Sequence, residues 1–127
     1  ILIANMIVGA PKVRRVARLC ETADPIIALD HFAQAQPLAA ACADAGVACR
    51  VILEINVGLD RVGVLPGRDA MELARATAEL DGLNLVGIMG YEGHLLMVED
   101  PDEKRSSINA AMSLLEETRD AFVDAGL

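Results

Sequence analysis

The chain has 127 residues, 54% of them hydrophobic but only 2% aromatic, and its 19 Asp and Glu against 11 Lys and Arg give a net charge of −8. This aliphatic content, with a mean hydropathy of +0.38 and no polar low-complexity tract, excludes an intrinsically disordered chain. Every apolar run is broken short of the roughly 20 residues that span a bilayer, and the longest basic cluster is Arg14-Arg15, so neither a membrane nor a nucleic acid is expected as a partner.

Ile1 to Ala4 is a short aliphatic run ended by Asn5 and the Gly9-Ala10-Pro11 turn, which reads as a buried strand. From Pro11, apolar side chains at Val13, Val16, Ala17 and Cys20 follow the i, i+3, i+4, i+7 spacing of an amphipathic helix over about Lys12 to Glu21. Pro25 to Leu29 is the second strand, and Asp30 is placed to cap a helix from about His31 to Ala45. Pro37 cannot donate to the i−4 carbonyl, so a kink or a restart near Gln36 is expected inside that helix. Val51 to Val57 is the third strand, followed by a Gly58 to Gly67 loop and a helix over about Arg68 to Leu80 with Ala70, Leu73, Ala74 and Thr77 inward. Leu83 to Gly90 is the fourth strand. Asp100-Pro101-Asp102-Glu103 then opens the last helix, with Asp100 as cap and Glu103 placed to complete a capping box. Ile108, Ala111, Met112, Leu115 and Phe122 form its inward stripe to about Asp124.

Four short apolar strands alternating with four helices specify a parallel α/β sheet covered by helices. An open doubly wound sheet and an arc of a (β/α)8 TIM-type barrel both fit. The barrel arc accounts better for the ends, because the chain starts inside a strand and closes on Ala125-Gly126-Leu127, the same signal that precedes a strand after helices two and three. Residues 1–127 are therefore expected to be about half of a barrel that needs roughly 250 residues; a self-contained four-stranded sheet is the alternative. Cys20, Cys42 and Cys49 are odd in number and lack CxxC spacing, as reduced thiols of a cytoplasmic protein would be.

In parallel α/β folds function sits in the loops after the strands, which here hold Asn5 and Met6, Asp30 and His31, Glu54 to Val64, and Gly90 to His94. Glu54 and Asn56 are two apart and share a strand face. Glu54 is equally well read as a site residue and as a hydrogen-bonded core carboxylate. Arg61, in a glycine-flanked loop, suits an anionic or aromatic ligand edge, although a loop arginine is more often a surface ion-pair partner. Tyr91, the only Tyr, lies between Gly90 and Gly93, where it can stack on a flat ligand or pack as a loop aromatic. His94 is read first as a loop histidine. With two His far apart and no HxxxH or CxxC, no metal site is expected from this chain. Gly87-x-x-Gly90-x-x-Gly93 departs from the dinucleotide GxGxxG pattern, and neither a P-loop nor a GxSxG elbow occurs.

The run Val51-Ile52-Leu53-Glu54-Ile55-Asn56-Val57-Gly58-Leu59-Asp60-Arg61-Val62-Gly63-Val64, with Pro66-Gly67, resembles the LVEVDVGxxRxGVxPG segment of the D-threonine aldolase and D-serine dehydratase-like family. Gly87 to His94 resembles that family's GLxxYxGH segment, and Ile1 to Asn5 its ILIANQ strand. These enzymes group with alanine racemase and bind pyridoxal 5'-phosphate in a β/α barrel. The resemblance covers the whole chain and implies the central part of an alanine racemase-like cofactor-binding domain.

The resemblance further implies that Arg61 stands near the phenolic oxygen of the cofactor ring and that Tyr91 lines the site against it. Asn56, where the family usually has Asp, and His94 belong to the same cofactor-binding set; Met6 stands where Gln is often found. The Schiff-base lysine is absent: the chain has only Lys12 and Lys104, each placed in a helix. In the family that lysine precedes this region, the phosphate cradle follows it, and the aldolases' divalent metal is bound in a further domain. The implied activity is a lyase reaction, retro-aldol cleavage of a D-3-hydroxy amino acid to glycine and an aldehyde, by a homodimer when full length. A D-serine dehydratase-like ammonia-lyase or an amino-acid racemase is the alternative within the family. Outside it, a non-catalytic binding or structural module that self-associates is the alternative.

Overall fold

In the computed structural model, which describes all 127 residues, the aliphatic runs form β1 (Leu2–Ile3), β2 (Ile26–Leu29), β3 (Cys49–Ile55) and β4 (Leu83–Gly90). Between them lie α1 (Ala10–Cys20), α2 (Phe32–Asp44) and α3 (Arg68–Ala78), and α4 (Pro101–Asp124) closes the chain. A short 3-10 turn, Gly93–Met97, where the sequence predicts only loop, separates β4 from α4. All strand pairs are parallel, in the order β1-β2-β3-β4. A doubly wound sheet reverses its strand order at a switch point. Monotonic order is the arrangement of a barrel arc, and the fold is a partial TIM-type barrel of four βα units.

One core cluster joins alternate strand residues Ile27, Leu29, Val51, Leu53 and Ile55 to Val13 of α1, Ala35 of α2, Ala70 of α3 and Phe122 of α4. All four helices therefore cover the same face of the sheet. The intervening residues Ala28, Ile52 and Glu54 point to the opposite, concave face and are nonetheless buried. On that face a Cβ added to Gly87 would touch Ile52 at 3.9 Å. Between Val51/Ile52 and β4 the register shifts by one residue, which leaves Val86 exposed and sets Gly87 and Met89 beside Ile52 and Glu54.

Several local expectations need correction. Helix α2 runs unbroken from Phe32 to Asp44. Pro37 lies inside it on the exposed side, where the carbonyl its ring leaves unbonded can be met by water, and of the two outcomes expected there the restart at Gln36 does not occur. Asp30 does not cap it; His31 does, its Nδ1 accepting from the Ala33 N–H at 3.0 Å. β3 begins and ends two residues earlier than expected, so Asn56 and Val57 fall beyond it. In α4 Asp100 is the cap, accepting from the Asp102 and Glu103 N–H groups at 3.0 and 2.8 Å, while the Glu103 side chain makes no return bond and the expected capping box is not completed. Met112, expected inward, is exposed, and Thr118 takes part in the buried stripe instead. Cys20, Cys42 and Cys49 are all free thiols, and burial, aided by Cys20, pushes the Cys42 thiol up to about 11. No helix is long and apolar enough to cross a membrane.

Candidate functional site

The site is built on the segment that leaves β3. The Val64 N–H donates to the Glu54 carbonyl and the Asn56 N–H to the Val64 carbonyl, both at 2.9 Å, so residues 56–64 fold back onto the strand end as a closed loop. Asn56 holds its interior. Its Oδ1 accepts from the N–H groups of Gly58 (2.9 Å) and Asp60 (3.3 Å), while its Nδ2 donates to the Asp60 carboxylate at 2.9 Å. Asp60 takes a left-handed φ of 54°, a conformation that Asp tolerates better than most residues.

At Gly63 the backbone passes so close that a Cβ would lie 2.6 Å from the Asn56 nitrogen, and its φ is +99°. Only glycine meets both demands. The Gly63 N–H donates to the Asp30 Oδ2 at 3.0 Å, which ties the loop to the end of β2 as well as to β3. Asp30 is a site residue that sequence reasoning assigned to capping. The available signal was register: Leu29 pairs with Leu53, and one further step sets Asp30 opposite Glu54.

Arg61 rides on this loop with its guanidinium carbon 5.4 Å from the centroid of the Tyr91 ring, a cation–π distance. No carboxylate lies within ion-pair distance of it, in contrast to Arg50, Arg68, Arg105 and Arg119. The surface ion pair expected of an ordinary loop arginine is not formed. Tyr91 follows β4 directly, and its ring lies over Gly93, where a Cβ would meet it at 2.5 Å. The His94 ring faces Gly58 of the arginine loop, its Nε2 3.0 Å from the position of an added Cβ. Arg61, Tyr91 and His94, 33 residues apart at their extremes, thus converge at the C-terminal ends of β3 and β4. Asn56 joins them through the loop it organises.

Glu54 stands behind the loop on the concave face of β3. Burial, then the Asp30 carboxylate, push its carboxyl above the ordinary range, while Arg61 pulls it back. Asp30, His31, Asn56, Asp60, Arg61, Val62 and Gly63 line an open cleft of about 450 Å³ in front of the loop. Asn5, after β1, is exposed and joins none of these hydrogen bonds. Lys12 lies in α1, and Lys104 in α4 donates its Nζ to the Leu96 carbonyl at 3.2 Å. No group of three or more His, Cys, Asp or Glu is arranged to hold a metal. A guanidinium free of acidic partners, stacked beside an aromatic ring at an open cleft, suits a planar ligand with an anionic oxygen on its edge.

Residues 3–127 match the family described as alanine racemase, N-terminal domain. The 3-hydroxy-D-aspartate aldolase of Paracoccus denitrificans (strain Pd 1222) is 27% identical over 128 residues, covering all of this chain and 33% of the aldolase. The crystal structure of D-threonine aldolase from Filomicrobium marinum superposes with a TM-score of 0.95 at 36% identity, over 99% of this chain and 34% of that one. An alanine racemase from Clostridium difficile 630 shares the fold at a TM-score of 0.76 and 14% identity, over 99% of this chain and 32% of its own. The chain spans about a third of the length of each.

Proposed function

Because the chain belongs to the alanine racemase N-terminal domain family, we propose that it forms the central wall of a pyridoxal-phosphate barrel in a lyase that cleaves D-3-hydroxy amino acids to glycine and an aldehyde. The observation that carries this reading is Arg61, held over Tyr91 with no ion-pair partner, on a chain similar along its whole length to two aldolases of D-amino acids. Pyridoxal phosphate, when bound, supplies the sink for the negative charge left on Cα when the Cα–Cβ bond breaks.

The residues present fit one side of that group. The Arg61 guanidinium offers N–H donors to an anionic ring oxygen, with its position set by Asn56 inside the loop and by the Gly63 N–H bond to Asp30. Tyr91 offers a ring face and a hydroxyl, and His94 borders the mouth beside Gly58. These four, Arg61, Tyr91, Asn56 and His94, are the proposed cofactor-binding set. Neither Lys12 nor Lys104 stands at a strand end, so covalent attachment of the cofactor falls to a lysine outside these 127 residues, and the chain by itself is proposed to be inactive. The full-length enzyme is proposed to be a cytoplasmic homodimer acting on small D-amino acids with the help of a divalent metal.

Incubating the full-length gene product with pyridoxal phosphate and, separately, D-threonine and D-serine, with and without divalent metal, tests the reading. Glycine and acetaldehyde are the expected products from D-threonine. Pyruvate and ammonia from D-serine, or racemisation without cleavage, would replace the aldolase reading with an ammonia-lyase or a racemase.

A further inference from the structure

α2 opens on an uncommon cap. Ser, Thr, Asp and Asn are the preferred N-cap residues, because a side-chain oxygen accepts one of the orphan N–H groups of the first turn. Here the acceptor is the His31 Nδ1, 3.0 Å from the Ala33 nitrogen, on a residue with the extended backbone of an N-cap. An imidazole nitrogen accepts only while it carries no proton. Protonation sets a donor against a donor and adds positive charge at a helix N-terminus, where the macrodipole opposes it. Histidine is the side chain whose ordinary titration falls between about pH 5 and 8.

The cap stands where hydrogen bonds couple α2 to the arginine loop. The Asp30 N–H donates to the Gln34 Oε1 at 3.1 Å, so the first turn of α2 reaches back and holds the end of β2. The Gln34 N–H closes that turn on the His31 carbonyl at 3.0 Å. The Asp30 Oδ2 in turn accepts from the Gly63 N–H at 3.0 Å, two residues past Arg61 in the chain. From the cap at His31 to the loop, each link is a hydrogen bond.

The charges facing His31 come from three elements. Asp30 adjoins it at the end of β2. Asp60 and Arg61 of the loop line one cleft with it. Asp69 and Glu72 of α3 line a second, with Glu72 paired to Arg68 at 2.6 Å. Carboxylates thus outnumber cations around the ring, and an imidazolium that leaves the cap has acidic partners to turn to.

We propose that His31 is a pH-sensitive latch between α2 and the loop after β3: the neutral imidazole caps the helix and keeps Gln34 on Asp30 and Asp30 on Gly63, and uptake of a proton releases the first turn of α2 and loosens the loop with it. The site is thereby regulated from a residue that need not touch the cofactor. The inference rests on the proposed function in one respect, that this loop meets pyridoxal phosphate. As pH falls through the titration of His31, the loop opens and affinity for the cofactor drops.

The test uses the full-length protein, as wild type, His31→Asn and His31→Ala. Asn caps a helix well and has no proton to gain at the accepting oxygen. Protection of the Ala33 and Gly63 amides from hydrogen exchange is measured without cofactor, and pyridoxal phosphate affinity by absorbance titration, at about pH 7.5 and about pH 5.5. In the wild type both amides are expected to lose protection together at the lower pH, and affinity to fall about fivefold further than in His31→Asn. His31→Ala should show the unprotected amides at both pH values. A His31→Asn variant with the wild-type pH response, or an Ala33 amide that loses protection while Gly63 keeps it, overturns the latch. If His31→Ala does not fold, the comparison of wild type with His31→Asn decides alone. A wild type that binds no pyridoxal phosphate defeats the reading of function instead, and the two amides then decide the latch by themselves.

Discussion

Gly63 shows how a single residue determines the site. Its positive φ and the 2.6 Å approach of a would-be Cβ to the Asn56 nitrogen mean that Gly63→Ala must open the loop that carries Arg61. We expect a loss of roughly 2–3 kcal/mol, read as a lower urea midpoint, with weaker binding of pyridoxal phosphate in the full-length protein. Glu54 carries an opposite trade. Its carboxyl is raised in the folded protein, by burial first and then by Asp30, so the fold holds this proton more tightly than the unfolded chain does. Its contribution to stability is full below the ordinary carboxylate range and is lost as pH rises through the raised folded value. Glu54→Gln is therefore expected to raise the thermal midpoint of the full-length protein at pH 7 and to leave it unchanged at low pH. At this scale the glycine neighbours of Arg61 and Tyr91 mark them as candidates in the sequence, whereas His94 enters only through the family resemblance. Asp30 was hidden, because an Asp before a helix has an equally good use as a cap and only the cross-strand register separates the two.

The elements were legible where periodicity and punctuation agree. α4 is the clearest: Asp100, Pro101 and a run of inward residues predict its start, and Asp100 caps it with two hydrogen bonds. Asp100→Ala is expected to cost about 1 kcal/mol, measured by chemical denaturation. The end of β3 lies two residues before the expected one because Val57 prolongs the apolar run past Asn56, while the backbone at Asn56 turns away to close the loop onto Val64. Composition does not record that change of partner. α2 differs for another reason: on the exposed side the carbonyl that Pro37 leaves unbonded can be met by water, and in a helix rich in Ala the weak amphipathic pattern leaves that side undecided. The bulge opposite Val51 and Ile52 and the 3-10 turn after Glu92 carry no distinctive residues and were not foreseen.

On the scale of the whole molecule, four βα units in monotonic order place every strand's C-terminal end on one rim, and the site follows from that arrangement. The same arrangement leaves β1 and β4 as outer strands, each with one unpaired edge. Beside β4, Leu85, Val86, Ile88, Phe122, Val123 and Leu127 line an apolar groove of about 220 Å³, of the kind that invites edge pairing. The isolated 127-residue chain is expected to self-associate, and a monodisperse monomer in sedimentation velocity would contradict this.

The central claim is that the loop after β3 presents Arg61 to the ring of pyridoxal phosphate. It is tested most directly by absorbance titration of the full-length protein and its Arg61→Gln variant with pyridoxal phosphate. The account predicts visible absorption on binding by the wild type and affinity at least about tenfold weaker in the variant, a difference of about 1.4 kcal/mol. Equal affinity in the two proteins, or no binding by the wild type, would contradict it.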